Sequence, residues 1–179
     1  MTVTRLKVLA IPVGAIAFAI ALTASRAAGA QSSVSSSRGL SLQGTWMVEV
    51  TLRDCQSNAA LASFPGLVTF ARGGTMVEVS STRGLPPGQR SNGLGVWSHE
   101  RRQTYSAHFV ALINFDTPPG PPGPPGLLAG WQTVTGTIEL TDRDHYAGAG
   151  TVNLYNSNGQ LYRTGCSSSV GQRVVSPAS

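Results

Sequence analysis

The sequence is poor in lysine and lacks the motifs of common enzyme classes. Its single lysine is Lys7, which excludes a Schiff-base or P-loop lysine from the rest of the chain. It contains no G-x-S-x-G, H-E-x-x-H, dinucleotide-binding or phosphate-binding glycine motif. His99, His108 and His145 lack the spacing of metal ligands. We therefore predict no catalytic residue, no metal site and no cofactor.

The N-terminal segment has the features of an export leader. Arg5 and Lys7 precede the apolar stretch Val8–Leu22, and the small residues Ala28–Ala30 fit a cleavage site. The apolar stretch is shorter than the ~20 residues that a membrane-spanning helix needs. We predict that residues 1–30 are a Sec-type signal peptide cleaved near Ala30, and that the protein is secreted or periplasmic. A retained anchor is the alternative.

Removal of this leader changes the charge of the chain. Three of the thirteen basic residues, Arg5, Lys7 and Arg26, would leave with it, so that ten arginines remain against eight acidic residues. The net charge then falls from +5 to +2. The high isoelectric point is therefore no indication of a nucleic-acid or membrane-surface partner, and we predict neither for the mature protein.

Short segments of alternating apolar and polar residues fill the rest of the chain. Trp46, Val48, Val50 and Leu52 alternate with more polar neighbours, and no window has helical periodicity. About eight such segments follow one another. After a Ser-rich tether over residues 31–41, we predict an all-β domain over residues 42–175 and a tail over residues 176–179. The simplest fold is a single up-and-down antiparallel β-barrel; a β-sandwich is the alternative.

Two pairs of distant residues indicate that the first strand meets the last. Opposed residues in an antiparallel pair have a constant index sum, and the sums for Trp46 with Arg173 and for Cys55 with Cys166 are 219 and 221. A small bulge or a diagonal contact accommodates the difference. This pairing closes a barrel. It also predicts a Cys55–Cys166 disulfide that stabilises the fold by about 3–5 kcal/mol in the chain-entropy model.

The connections between strands differ in length and alternate. This alternation predicts one barrel end with tight turns and one open rim. The short connections are Gly73-Gly74, Arg101-Arg102 and Asp142–Asp144, and the long ones are Cys55–Gly66, Ser81–Asn92 and Asp116–Gly130. Asn158-Gly159 is a strong hairpin signal before the last strand.

Three short motifs, in this order, resemble the signature regions of lipocalins. They are Gly44-Thr45-Trp46 at the first strand, Thr141-Asp142 before the seventh, and Arg173 in the last. The chain resembles secreted bacterial lipocalin-like proteins of the calycin superfamily from Leu42 to Val175, although Arg143 stands where the family usually has an aromatic residue. The resemblance implies that Arg173 crosses Trp46 in a cation–π contact at the closed end, so that both are structural residues.

Counting along each strand with a period of two gives the expected barrel interior. Glu49, Glu78 and Glu139 would then face outward. Small inward residues would leave volume for a guest; they are Ala107, Ala111, Gly136, Gly148 and Gly150. We predict that the ligand-binding residues are Phe70, Val79, Trp97, Tyr105, Phe109, Ile138 and Tyr146, with Val77 and Val152 as further lining.

These features favour a non-catalytic barrel that holds a small hydrophobic or amphipathic molecule. The first alternative is a calycin-type enzyme such as an isomerase or cyclase, which would need a buried ionisable group in the barrel. The second is a filled barrel that contacts another protein through Pro118–Gly126, three Pro-Pro-Gly triplets typical of polyproline II structure.

Overall fold

The computed structural model describes residues 40–81, 85–119 and 126–175. The predicted signal peptide, residues 31–39 of the tether and the tail at 176–179 lie outside the described residues. So do residues 120–125, which make up most of the Pro-Pro-Gly segment. The predictions for those segments stay predictions.

Eight antiparallel strands form a closed up-and-down barrel in which each strand pairs with its sequence neighbours. This confirms the predicted fold and excludes the sandwich. Among the described residues no helix is long and apolar enough to cross a membrane. The strands are β1 (Gly44–Arg53), β2 (Ala60–Phe70), β3 (Thr75–Ser80), β4 (Gly93–Arg101), β5 (Thr104–Ile113), β6 (Gly130–Leu140), β7 (His145–Asn156) and β8 (Leu161–Arg173).

The pairing of β1 with β8 closes the barrel in the predicted register. Trp46 lies opposite Arg173, and Arg53 lies opposite Cys166. Cys55 follows β1 by two residues and forms the predicted disulfide with Cys166, with their Cα atoms 5.2 Å apart. The bridge therefore ties the first and last strands together at the end of the barrel where β1 finishes.

Trp46 and Arg173 organise the closed end. Trp46 is fully buried, and its indole Nε1 donates to the carbonyl of Leu42 at 2.9 Å. The Arg173 guanidinium lies 4.1 Å from the centroid of the indole and donates to the carbonyls of Ser41, Gln43 and Arg143. A cation over the indole face is attracted by the ring quadrupole, so one arginine joins the chain before β1, the β6–β7 turn and β8.

Gly44 is required by this arrangement. Its φ is +129°, and a Cβ atom there would lie 2.6 Å from Nη1 of Arg173. A larger residue would therefore be strained and would displace the guanidinium. The glycine of the Gly44-Thr45-Trp46 motif thus makes space for the arginine that covers the tryptophan.

The connections confirm a tight end and a wide end, with one correction. Tight turns join β2 to β3, β4 to β5 and β6 to β7 at the closed end, and longer segments join β3 to β4 and β5 to β6 at the other. The predicted long loop Cys55–Gly66 is wrong, because β2 begins at Ala60. Residues Ala62, Phe64 and Gly66 pair with Leu52, Val50 and Val48 of β1. This pairing lengthens the barrel wall at the open end.

Candidate ligand-binding cavity

The open half of the barrel contains a cavity of about 1190 Å³. This volume exceeds the roughly 300–1,000 Å³ of typical small-molecule pockets. The cavity is lined by inward-facing side chains from all the strands except β4. Its floor is formed by Phe70, Ile138 and Tyr146, which also belong to the core of the closed end.

Small residues on β6, β7 and β8 create much of this volume. Gly136 lies opposite Gly150, and Gly150 lies opposite Ser167. Two of these three residues are glycine and the third is serine, so this part of the wall adds little side-chain volume to the interior. A Cβ atom at Gly136 would also collide with the backbone of Ala149. Inward small residues that line the cavity are Ala107, Gly136, Gly150, Gly165, Ser167 and Ser169.

The opposite wall contains a buried ion pair that the sequence analysis did not predict. Arg90 Nη2 donates to Glu78 Oε2 at 2.8 Å, and the two side chains are 10% and 9% exposed. Both residues line the cavity. Two isolated charges would be costly to bury, and the short pairing offsets much of that cost.

Arg90 also makes hydrogen bonds to β6, to a second residue of β3 and to its own neighbour in the chain. Its Nε donates to Gln132 Oε1 on β6 at 2.7 Å, and Nη1 donates to Ser80 Oγ on β3 and to the carbonyl of Ser91. The guanidinium therefore connects β3 with β6 across the open half of the barrel. Most of its donor capacity is directed at fixed acceptors, which holds the side chain in one position.

The segment that carries Arg90 is bonded to the end of β5. Arg90 forms an isolated β-bridge with Ile113. The Ser91 amide donates to the carbonyl of Leu112, and the Asn114 amide donates to the carbonyl of Gln89. Gln89 is fully buried and its Nε2 donates to the carbonyl of Phe115. The β3–β4 connection thus extends the wall beside β5, and it places Arg90 inside.

Two glycines in β4 accommodate the aromatic ring beside this pair. A Cβ atom at Gly93 would lie 2.6 Å from Cδ2 of Phe109 and 2.8 Å from Oε2 of Glu78. One at Gly95 would lie 2.5 Å from Cβ of Phe109. The space that side chains on β4 would take is therefore occupied by Phe109 and the Glu78 carboxylate. This explains why β4 contributes no side chain to the cavity at these positions.

The Tyr146 hydroxyl is a polar group on the cavity floor. Burial raises the pKa of Tyr146 well above its ordinary value, and a hydrogen bond with the Ser169 hydroxyl opposes part of that rise. The ring packs edge-on against Trp46, with centroids 5.1 Å apart. At neutral pH the residue is an uncharged phenol, which serves packing and hydrogen bonding.

The rim of the cavity is polar and includes the disulfide. Arg53 donates to the Ser168 hydroxyl and to the carbonyl of Asn58, and Arg163 donates to the carbonyl of Gly126. The exposed Asp54 carboxylate accepts hydrogen bonds from the backbone and side chain of Ser57, which lower its pKa. Charged side chains at the mouth are thus bonded to the protein.

The structure separates the seven predicted ligand-binding residues into three groups. Phe70, Phe109, Ile138 and Tyr146 line the cavity. Whether they contact a ligand stays a prediction. Trp97 and Tyr105 instead pack in and around the core of the closed end. Trp97 Nε1 donates to the carbonyls of Ala71 and Thr75, and the Tyr105 hydroxyl donates to the carbonyl of Leu40.

The placement of Val79 in the lining was wrong. Val79 is 43% exposed and Val77 also lies on the outer surface. Conversely, Glu78 was expected to face outward and is 7% exposed inside the barrel. The reason is the β2–β3 register: Phe70 pairs with Met76, and opposed residues share a face, so Met76 and Glu78 face inward. The sequence signal for this inner face of β3 is the tight hairpin after Phe70, because counting forward across it places Met76 opposite Phe70.

The histidines occupy surface positions. His108 is exposed and bonds to the Thr135 hydroxyl, and His99 bonds to the carbonyl of Arg102. His145 bonds to Asp142, whose pKa is lowered first by the backbone N–H of Asp144. Within residues 40–81, 85–119 and 126–175, no three histidine, cysteine or acidic residues are grouped as a metal site would require.

The ends of the Pro-Pro-Gly segment lie at the mouth of the cavity. Thr117 and Pro118 on one side and Gly126 and Leu127 on the other contribute to the lining. The Thr117 amide donates to the carbonyl of Leu127 at 2.7 Å, so the two ends are held together.

Comparison of the sequence with protein-family models and with curated proteins found no match.

Proposed function

We propose that this protein is an exported, non-catalytic barrel that binds a small hydrophobic or amphipathic molecule in its interior. The observation that carries the proposal is the cavity of about 1190 Å³ in the open half. A barrel with a filled interior would have no such volume. Apolar side chains such as Phe70, Phe109 and Val152 line it, and they would bury the apolar part of a ligand at roughly 25 cal/mol per Å² of apolar surface.

The buried polar groups support an amphipathic ligand. Glu78, Arg90 and Gln132 form a hydrogen-bonded cluster in a wall that is otherwise mainly apolar. A few fixed polar groups in an apolar pocket orient a ligand and provide specificity. A purely hydrocarbon ligand would have no polar group to bond to this cluster.

An exported location agrees with the disulfide. Cys55 and Cys166 are bonded, and structural disulfides persist in oxidising compartments such as the periplasm or the extracellular space. The proposal of a cleaved leader over residues 1–30 rests on the sequence pattern. Membership of the lipocalin-like group of calycins is likewise a proposal, supported by the closed eight-stranded barrel and by the Trp46–Arg173 contact.

A calycin-type enzyme is the second candidate, and Glu78 is the observation that favours it. This function requires a buried ionisable group in the barrel, and Glu78 is such a group. Its carboxylate, however, is bound to Arg90 at 2.8 Å. A general base must be within reach of a substrate proton, so an isomerase or cyclase would have to bring its substrate against this pair.

Native mass spectrometry of the oxidised protein, purified after secretion, tests the proposed function. A retained ligand appears as an excess mass that is lost on denaturation, and extraction identifies its chemical class. The neutral probe N-phenyl-1-naphthylamine provides a second readout, because its fluorescence rises in an apolar cavity. An apo mass together with no fluorescence rise would reject the binding function. Conversion of an extracted ligand by the protein would establish the enzyme instead.

A further inference from the structure

The Glu78–Arg90–Gln132 cluster carries no net formal charge. Arg90 faces the carboxylate of Glu78 through Nη2 and the amide oxygen of Gln132 through Nε. The formal charges of Glu78 and Arg90 cancel, and Gln132 adds none. The cluster is thus polar and electrically balanced, unlike a lone arginine, which would attract an anion.

This balance disfavours charged groups of a ligand at the cluster. An anionic group that approached Arg90 would lie near the Glu78 carboxylate, and a cationic group that approached Glu78 would lie near the guanidinium. Like charges repel strongly in a site of low dielectric, and removing one partner from a buried pair leaves an uncompensated charge. A hydroxyl, carbonyl or amide group brings no charge and still bonds to either member.

We propose that this cluster selects amphipathic ligands with an uncharged polar end over carboxylates and amines. The inference rests on the proposed binding function and names its ligand class. The polar end lies against Glu78 and Arg90, and the apolar part extends along the wall of Phe109, Val134 and Val152 that belongs to the same cavity.

The rim offers a competing position for an anionic group. Arg53 and Arg163 also line the cavity, and both already donate to protein acceptors, Ser168 and Asn58 for Arg53 and Gly126 for Arg163. A carboxylate held there would be insensitive to a change of charge at Glu78 or Gln132. The two positions are therefore distinguishable by substitution.

The experiment compares three ligands with the same chain: 1-dodecanol, dodecanoate and dodecylammonium. Each displaces N-phenyl-1-naphthylamine from the mature, oxidised protein at about pH 8, where the acid is ionised and the amine protonated. We expect dodecanol to bind at least about tenfold more tightly than either ion, a difference that corresponds to about 1.4 kcal/mol. Dodecanoate or dodecylammonium binding as tightly as the alcohol would overturn the proposal.

Two substitutions shift the cluster charge in opposite directions. Glu78→Gln leaves Arg90 unbalanced, and we expect dodecanoate to gain about tenfold relative to dodecanol. Gln132→Glu adds a negative charge beside Arg90, and we expect dodecylammonium to gain affinity relative to dodecanol by a similar factor. The matched controls are Glu49→Gln and Gln172→Glu, which make the same charge changes at exposed positions and should leave the ligand order unchanged.

Each outcome has a distinct meaning. If Glu78→Gln does not fold, the affinity of dodecylammonium relative to dodecanol in Gln132→Glu tests the role of the cluster. An identical ligand order in the wild type and in every folded cluster variant rejects the role of the cluster and leaves the binding function in place. Failure of the probe and of all three ligands to bind the wild type rejects both the binding function and this inference.

Discussion

The two halves of the barrel are built from the same strands and differ in what those strands carry inward. On β7, Tyr146 fills the closed half and Gly150 lines the open half. On β8, Arg173 covers Trp46 at the closed end, and Ser167 lines the cavity at the other. On these two strands a change of side-chain size therefore separates a packed core from a cavity.

The difference shows how one fold satisfies both stability and binding. The core cluster of Leu42, Trp46, Phe70, Leu140 and Tyr146 is buried in the closed half, where close packing provides the dispersion and hydrophobic stabilisation. The open half is held by backbone pairing, by the disulfide and by the Arg90 hydrogen bonds. We expect substitutions in the first half to lower stability and substitutions in the second to change binding.

The largest expected effect is at Trp46. Replacing Trp46 with Ala removes a fully buried ring and its contacts with Arg173 and Tyr146, and should lower the free energy of unfolding by about 3–5 kcal/mol. Val50→Ala, on the same strand beside the cavity, should cost about 1 kcal/mol or less, because the site is already partly empty. Urea denaturation compares the two. Equal losses would mean that the halves are not energetically distinct.

Removal of the disulfide comes next. The bond spans 111 residues of sequence, and the double substitution of Cys55 and Cys166 with Ser should lower the free energy of unfolding by about 3–5 kcal/mol. Trp131 begins β6 at the open end, where the bridge also lies, so both proteins carry Trp131→Phe. The fluorescence of the folded double variant then comes from Trp46 and Trp97 in the closed half and should be unchanged. The measurement is equilibrium unfolding followed by tryptophan fluorescence, and a changed native spectrum would show that the closed half depends on the bridge.

Two glycines of β8 give the most direct comparison of the halves. A Cβ atom at Gly171 would collide with the Tyr146 ring, whereas one at Gly165 would meet no atom within 4 Å. Gly171→Ala should therefore lower the free energy of unfolding by about 1–3 kcal/mol.

Gly165→Leu is the matched change in the open half. It should leave stability within about 0.5 kcal/mol and weaken binding of N-phenyl-1-naphthylamine, because its side chain occupies the cavity. Thermal denaturation and probe titration measure the two effects. Unchanged probe binding in Gly165→Leu would show that the probe binds elsewhere.

The smallest effect concerns the ionisation of Tyr146. Because its folded pKa is raised by burial, the folded state keeps this proton at a pH where the unfolded chain, with a tyrosine pKa of about 10, has lost it. The contribution of protonated Tyr146 to the free energy of unfolding is therefore complete below about pH 10. It is lost, and stability falls, as the pH rises beyond that value. Absorbance of tyrosinate should show a late-titrating component that is absent in Tyr146→Phe. Its persistence in that variant would assign it to another residue.

The sequence pattern predicted the barrel and its closure from particular residues. The index sums of Trp46 with Arg173 and of Cys55 with Cys166 fixed the β1–β8 pairing and the bridge, since strand pairing in an antiparallel sheet is linear in residue number. The alternation Trp46, Val48, Val50 in β1 indicated the inner face, and four of the seven residues predicted to bind ligand line the cavity.

The face of β3 could not be read from hydrophobicity alone. Val77 and Val79 are apolar and lie outside, and Glu78 is charged and lies inside. An apolar pattern assumes that a charge avoids the interior, and this fails when a partner from a distant segment neutralises it. Arg90 is that partner, and it belongs to a connection with no strand pattern of its own.

The resemblance to lipocalins implied the contact between Trp46 and Arg173. By itself, the sequence determined the all-β class, the strand order and the closing pair of strands. These depend on local alternation and on residues whose spacing permits one register. The tertiary structure alone decided that the open half is hollow and that Glu78, Arg90 and Gln132 meet in its wall. Volume and charge pairing depend on several strands and a connection at once, so no single segment of the sequence contains them.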